Sequence, residues 1–501
     1  MSHEKFESKT DDILTQIDAS YSLGDLIATL CVSVFNDLAI TEYELIVQSS
    51  KLNITKQIDE ACSDFVSSSI DAKEFIDLIF DCSILEKADV RALCVNLILR
   101  LDKYYIYNEN KYDKFNREPF ICSGPLNVTY MDAVAIYPKP NCKTDDIYSD
   151  GMKLRKKIRH ETRNINNYLH NIIILKRKVL ESFQQIPLEM PMVYQLNDKH
   201  YFDMLIGNHE DINIGLAPFS KLLHVDIVES ETEFEIINPK DDVSTKVSER
   251  YIQILDEMIN QNIHIAIFPE IALMPSVLKS IKAHLSDRIG HSLKLIVSGS
   301  MWENNNNTAY ILNGQGKEIC HYNKLNPYNN ENNKTEALRL REEIHDFVDI
   351  YGFGRIYFTI CMDYITKSYD ALTDIMGCNY IVVSAYTPSL EPFISQANDL
   401  AMSNYVISFV CNYCAALSKK IQNPGSEGIC ERIGFVGLPA KNKTKNEIDI
   451  YEYNLANCKY ECNQEVPCFV KFSFTPYPQL YKRGNLSKLP ATISFCNEVS
   501  V

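Results

Sequence analysis

The run Gly354-Arg355-Ile356-Tyr357-Phe358-Thr359-Ile360-Cys361-Met362-Asp363 constrains this chain more than any other stretch. Five consecutive β-branched or aromatic residues precede the cysteine and a glycine comes before them, the pattern of a strand buried on both faces. Such strands belong to α/β sheets, where chemistry gathers at the carboxyl ends, and a cysteine stands at this end. Residues 367–376 read as helix, Gly377 as its stop and residues 380–385 as another apolar strand. Strand, helix and strand in that order make a parallel crossover unit.

Two earlier stretches share this character. Ile263-His264-Ile265-Ala266-Ile267-Phe268 leads into Pro269-Glu270, and Leu295-Ile296-Val297-Ser298-Gly299-Ser300 opens a section that passes through residues 308–312 to His321-Tyr322-Asn323-Lys324. Each candidate strand, or the loop after it, offers one reactive side chain: Glu270, Lys324 and Cys361. No local motif joins them, so only a fold can bring them together. Taken singly, each has an ordinary reading: a core cysteine, a solvated carboxylate after a turn, a surface lysine.

With Phe268-Pro269-Glu270, Tyr322-Asn323-Lys324 and Gly354–Asp363 in this order, residues 222–455 resemble the nitrilase superfamily of carbon–nitrogen hydrolases. Smaller echoes are Asn313-Gly314-Gln315-Gly316-Lys317 before the lysine strand, Gly377-Cys378-Asn379-Tyr380-Ile381, and the spacing of Asn404 and Asn412. The resemblance implies an α-β-β-α sandwich with a Glu-Lys-Cys triad. Glu270 would be the general base, Cys361 the nucleophile that forms a thioester, and Lys324 the oxyanion stabiliser, helped by the backbone N–H of Met362. Asp363 would orient the turn after the nucleophile. The family often has a second, supporting glutamate between lysine and cysteine; Glu331, Glu336, Glu342 and Glu343 compete for that role, spacing does not decide, and Glu331 is carried as the expected support. The chain departs from the family pattern at Ser403 and at Tyr364-Ile365-Thr366, which bear on the substrate pocket more than on the triad. The implied substrate is a small-molecule amide or nitrile, with no metal and no organic cofactor, and the implied assembly is a homodimer or larger oligomer.

Two rival readings stand beside this one. A nitrilase-like domain can serve as a scaffold or regulatory module in a larger assembly, bacterial defence proteins included, with the helical N-terminal half binding a partner. A papain-like site with His345 or His321 as base would ignore Glu270 and Lys324.

Around this domain the chain divides into four expected parts. Residues 1–106 carry apolar positions at helical spacing, as in Leu23-Leu26-Ile27-Leu30-Val34 and Val90-Leu93-Leu97-Leu101, and read as an all-α bundle with Asp71 and Asp89 as N-caps. Residues 107–190 read as an irregular connector followed by a long amphipathic helix over 151–186. The first turns of that helix hold Lys153, Arg155, Lys156, Lys157, Arg159 and Arg163; a solvated face is preferred to a nucleic-acid contact over 153–163, because no aromatic platforms interleave. Residues 191–455 form the hydrolase-like domain, whose first strand is expected at 222–228. Residues 456–501 form a β-rich tail in which 469–474 alternate like a strand packed on the N-terminal half or on another subunit. Two asparagine-rich inserts, 304–307 and 329–333, read as flexible loops.

Composition sets the remaining bounds. A net charge of −16 over 501 residues argues against whole-molecule attraction to nucleic acid or anionic membrane. The apolar runs are too short for a membrane span, and the polar start Met1-Ser2-His3-Glu4-Lys5 lacks the apolar core of a secretory signal. Sixteen cysteines then read as reduced thiols, implying a cytoplasmic location; Cys411 and Cys414 read as core residues in preference to a zinc site.

Overall fold

The computed structural model describes residues 17, 23–35, 56–81, 90–104, 120–121, 134–139, 165–167, 169, 171–176, 191–196, 201, 205, 208, 210–220, 223–237, 241–330, 332–339, 345–350, 353–366, 370–404, 406–416, 432–441, 448–454, 468–474 and 491–495. The chain divides into two compact units, one mostly N-terminal and one built mainly from residue 194 onward.

In the first unit, helices α1 (Leu23–Phe35), α2 (Lys56–Val66), α3 (Ala72–Asp81) and α4 (Val90–Tyr104) form where apolar residues recur every three or four positions. Asp71 caps α3 as expected: Glu74 donates its N–H to Asp71 Oδ1 at 2.8 Å, and Asp71 donates its own to Glu74 Oε2 at 3.3 Å, a reciprocal box. The unit is not all-α. Strands β1 (Phe120–Ile121), β2 (Val134–Pro138) and β3 (Ile172–Lys176) form an antiparallel sheet. Val134, Ile136, Ile172 and Ile174 share one core with Leu30, Leu97 and Phe75.

The long helix expected over 151–186 is therefore corrected where the chain is described. Ile165–Asn167 is a single 3-10 turn and Ile172–Lys176 is the strand β3. Ile172, Ile173, Ile174 and Leu175 are all buried, which a two-sided strand satisfies and an amphipathic helix does not. The Asn166 side chain fixes the turn, donating to Ile174 O at 2.8 Å and accepting from Ile174 N at 2.7 Å. The basic cluster 153–163 lies outside the described residues.

The second unit is a mixed α/β body whose described residues form two seven-stranded sheets. One runs β11 (Glu318–Asn323), β10 (Asn306–Asn313), β9 (Leu295–Glu303), β8 (Ile265–Ile267), β5 (Ile212–Leu216), β19 (Val470–Phe474), β20 (Ala491–Phe495). The other runs β18 (Ile448–Asn454), β17 (Arg432–Lys441), β16 (Ile407–Asn412), β15 (Tyr380–Ala385), β14 (Gly354–Ile360), β13 (Phe347–Ile350), β4 (Val193–Gln195). Each has a parallel centre, β5-β8-β9 and β14-β15-β16, with antiparallel strands outside it. Helices α5 (Asp241–Asn260) and α6 (Pro275–Ser286) pack on the first sheet through Tyr251, Ile254, Met258, Val277 and Ile281. Short helices α7 (Met362–Ile365) and α8 (Asp370–Ile375) follow β14, and α9 (Glu391–Asn404) packs on β16 and β17. Between the sheets, Phe409 meets Phe472 edge-on at 6.2 Å and Ser384 Oγ donates to Phe268 O at 2.8 Å.

Two expectations move. The first strand of the sheet that holds β8 is Ile212–Leu216; residues 226–229 instead form β6, which pairs with β7 (Glu233–Ile237) in a hairpin that also takes up β12 (Thr335–Glu336). The burial of all of β5 and the exposure of all of β6 explain the swap, because only the former can be a central strand. The segment expected as a separate tail joins this same sheet: β19 lies antiparallel to β5 with Phe472 opposite Ile214.

Candidate active site

Cys361 stands at the turn from β14 into α7, with φ 47° and ψ −106°. A side chain held in this left-handed region costs about 1–3 kcal/mol and persists only where neighbours dictate it. Here Cys361 N donates to Ser384 O at 2.9 Å, and Tyr364 N donates back to Cys361 O at 3.1 Å. Met362 opens α7, so its N–H is one of the donors that a helix start leaves without an intrahelical partner.

Glu270 follows β8 through Phe268-Pro269. Gly299, at φ +68°, lets β9 come against this turn: a Cβ there would lie 2.2 Å from Pro269 O. Ile271, at φ 54°, donates its N–H to Ser300 Oγ at 2.9 Å and so turns the chain after the carboxylate. Lys324 follows β11 and donates its backbone N–H to Asn307 O at 2.8 Å.

The three side chains meet. Lys324 Nζ donates to Glu270 Oε1 at 2.8 Å and to Glu336 Oε2 at 2.6 Å. Asn307 Nδ2 donates to Glu270 Oε1 at 2.8 Å and to Glu336 Oε1 at 3.2 Å, and Tyr386 N donates to Glu270 Oε2 at 2.9 Å. Glu270 is also in hydrogen-bonding reach of the Cys361 thiol. All four ionisable groups are nearly inaccessible: Cys361 and Glu270 are 4% exposed, Glu336 3% and Lys324 2%.

Burial sets the protonation states. It pushes the Cys361 thiol well above its ordinary value, with Glu270 adding to the push and Lys324 opposing it, so the resting sulfur keeps its proton. Burial also raises the Glu270 carboxyl, against the pull of Lys324. For Lys324, burial alone would favour the neutral amine; the carboxylates of Glu270 and Glu336 outweigh it and hold the ammonium well above the ordinary lysine range. Asp363 ties the site together from below. Its carboxylate accepts Leu325 N at 3.0 Å, Asn326 N at 2.7 Å, Asn326 Nδ2 at 2.8 Å and Tyr322 Oη at 2.8 Å. It therefore links the start of α7 to the turn after Lys324, and burial raises it to about 6.

A cavity of about 370 Å³ opens onto this cluster. Glu270, Lys324, Glu336 and Cys361 line it, with apolar walls from Ile271 and from the hairpin residues Ile227, Phe234 and Ile236. Tyr386 and Pro388 line it from the loop after β15, which Asn412 pins by accepting Thr387 N at 3.0 Å and donating to Thr387 O at 2.9 Å. Neither His321 nor His345 lines it; His345 Nδ1 is engaged with Tyr357 Oη at 2.6 Å.

Two features differ from the sequence reading. The carboxylate that supports Lys324 is Glu336, while Glu331, Glu342 and Glu343 lie outside the described residues. Asn307, read as part of a flexible insert, is fully buried in β10 and bridges both carboxylates. The alternation Asn307-Thr308-Ala309-Tyr310-Ile311 carried the only available signal for it, since Asn307 shares a face with Ala309 and Ile311. Among the described residues, no three His, Cys, Asp or Glu side chains are placed to hold a metal ion, and no helix is long and apolar enough to cross a membrane.

No family model matches the chain, and no curated protein matches it. Among solved structures, Saccharomyces cerevisiae Nit3, a member of branch 10 of the nitrilase superfamily, is similar over 49% of this chain and 86% of its own, at 16% identity and a TM-score of 0.33. An amidase from Nesterenkonia sp. is similar over 48% of this chain and 90% of its own, at 13% identity and a TM-score of 0.31. The glutamine-dependent NAD+ synthetase of Acinetobacter baumannii is similar over 50% of this chain and 46% of its own, at 15% identity and a TM-score of 0.33. About half of the chain is thus similar to structures that include members of the nitrilase superfamily.

Proposed function

We propose that this chain is a carbon–nitrogen hydrolase of the nitrilase type that cleaves a small-molecule amide or nitrile through a thioester on Cys361. One observation carries the reading: an acid, an amine and a thiol from three distant stretches line the floor of one cavity. Because the resting thiol is protonated, it needs a base at the moment of attack, and Glu270 is the carboxylate within its reach.

With an amide, Glu270 takes the thiol proton as sulfur bonds to the amide carbon, and the carbonyl oxygen takes up the electron pair. Lys324 and the Met362 N–H are the donors for that oxyanion. The carbon–nitrogen bond then breaks, Glu270 passes its proton to the departing nitrogen, and a thioester remains. Water attacks the thioester carbon while Glu270 takes its proton. The carbon–sulfur bond breaks, the sulfur recovers that proton, and the acid is released. Glu336 and Asn307 touch none of the reacting atoms; they position Lys324 and Glu270.

The test is intact-mass spectrometry of the full chain with a panel of small amides and nitriles. The expected result is an acyl adduct that maps to Cys361 and is absent from folded Cys361→Ala. An adduct that persists in Cys361→Ala, or wild-type protein that never acylates while Cys361 alkylates readily, overturns the reading.

A further inference from the structure

Glu229 stands two strands across the small sheet from Glu336: it pairs with Phe234, which pairs in turn with Glu336. Glu229, at the end of β6, faces the cavity, and its carboxylate is fixed by three donors: Asn330 Nδ2 at 2.9 Å, Asn332 Nδ2 at 3.2 Å and Lys334 Nζ at 3.0 Å. The loop that supplies them is itself folded around Asn330, whose Oδ1 accepts the N–H groups of Asn332 and Lys334, each at 3.0 Å. A surface carboxylate held this way has already lost its rotamer freedom, so a ligand that binds it does not have to order it. Phe234 stands between Glu229 and Glu336 across the small sheet, and Ile227, Ile236 and Ile271 add apolar lining beside the polar Tyr328 and Tyr386. Among the described lining side chains three are acidic, Glu229, Glu270 and Glu336, and one, Lys324, is basic and already shared by two of them. Lys334 pairs with Glu229 but does not line the cavity.

We propose that Glu229 is a specificity-determining residue that reads a positively charged group at the non-reacting end of the substrate, which makes the substrate class an aliphatic amide with a terminal amine. This rests on the hydrolase reading for the identity of the reacting end. The apolar lining suits the methylene stem, Glu229 accepts hydrogen bonds from the ammonium, and the acidic excess among the described lining residues disfavours an acyl chain that ends in a carboxylate. The Lys334 ammonium is an internal rival for the same carboxylate.

The experiment measures binding without turnover. Full-length Cys361→Ser protein is titrated calorimetrically with three straight-chain amides of matched length that end in ammonium, hydroxyl or carboxylate, over a homologous series. The ammonium ligand is expected to bind about tenfold more tightly than its hydroxyl counterpart, the size of a hydrogen bond to a charged group. Adding Glu229→Gln abolishes that difference, Glu229→Lys inverts it toward the carboxylate ligand, and Lys334→Met, which removes the rival cation, widens it. The proposal falls if the three ends bind alike, if no ammonium ligand binds, or if the order of affinities survives both Glu229 substitutions. Acylation of wild-type Cys361 by the amide that binds is read separately, so failure of the hydrolase reading shows as binding without a thioester.

Discussion

Replacing Glu336 by glutamine tests how the cluster is wired. Lys324 Nζ contacts Glu270 Oε1 at 2.8 Å and Glu336 Oε2 at 2.6 Å, so those two oxygens are at most 5.4 Å apart, the two contacts laid end to end. At that separation, and at an effective dielectric constant of about 20, two unit charges repel by roughly 3 kcal/mol. The Glu336 charge thus opposes ionisation of Glu270, and Glu336→Gln removes it while keeping an acceptor for Lys324 and for Tyr328 N, which now donates at 3.0 Å. The sign follows directly: Glu270 loses its proton more easily, so the base becomes available at lower pH. The assay is the pH dependence of Cys361 alkylation by iodoacetamide, read at that residue by peptide mapping, which requires no known substrate. The acid limb is expected at lower pH in Glu336→Gln than in wild type. Folding stability changes little, because the lost attraction to Lys324 and the relieved repulsion from Glu270 oppose each other. Glu336→Ala, which leaves Tyr328 N, Asn307 and Lys324 short of an acceptor, is expected to cost about 3 kcal/mol in urea denaturation. An acid limb that stays in place or moves to higher pH in Glu336→Gln refutes the wiring.

Two other substitutions probe the same cluster. Asn307→Asp places a third carboxylate against Glu270 and Glu336; the acid limb of alkylation should move to higher pH, opposite to Glu336→Gln, with a stability loss of about 3 kcal/mol or more at neutral pH. Gly299→Ala drives a Cβ toward Pro269 O at a φ of +68° and should cost about 3 kcal/mol by denaturant melt, whereas Gly290→Ala, at φ +84° with nothing within 4 Å of its Cβ, should cost only about 1 kcal/mol.

The strands that lead to Glu270, Lys324 and Cys361 were legible because their signals are local. Buried parallel strands need consecutive β-branched and aromatic residues, and Ile356 to Ile360 supplies them without reference to the rest of the chain. The same rule was available at Ile172-Ile173-Ile174-Leu175, but apolar positions upstream at three- and four-residue steps also fitted a helix, and periodicity cannot separate a short buried strand from a buried helical turn. What decided it is non-local: Asp102 of α4 accepts the N–H groups of Asn171 at 2.9 Å and Ile172 at 3.0 Å, and β2 supplies the paired strand. Val470–Phe474 had a strand's alternation, yet nothing local says that its partner is Ile212–Leu216, more than two hundred residues earlier.

The supporting glutamate was illegible for a related reason, and it bears on how the site works. Spacing left four glutamates open because their loop has no periodicity. Selection comes from pairing: β12 lies parallel to β7, with Thr335 N donating to Thr232 O and Ala337 N to Phe234 O, each at 3.0 Å, and this register points Glu336 at Lys324. The hairpin that fixes Glu336 also supplies Ile227, Phe234 and Ile236 to the cavity wall and bears Glu229 at the far end of β6. One small sheet therefore touches both the prospective acyl chain and the residue that holds the ammonium. A ligand that shifts the hairpin must also shift Glu336, so changes at Ile227 or Phe234 should alter the alkylation pH profile of Cys361 and not ligand affinity alone. If those profiles stay fixed while affinity changes, the hairpin is a passive wall and the coupling argued from β12 is wrong.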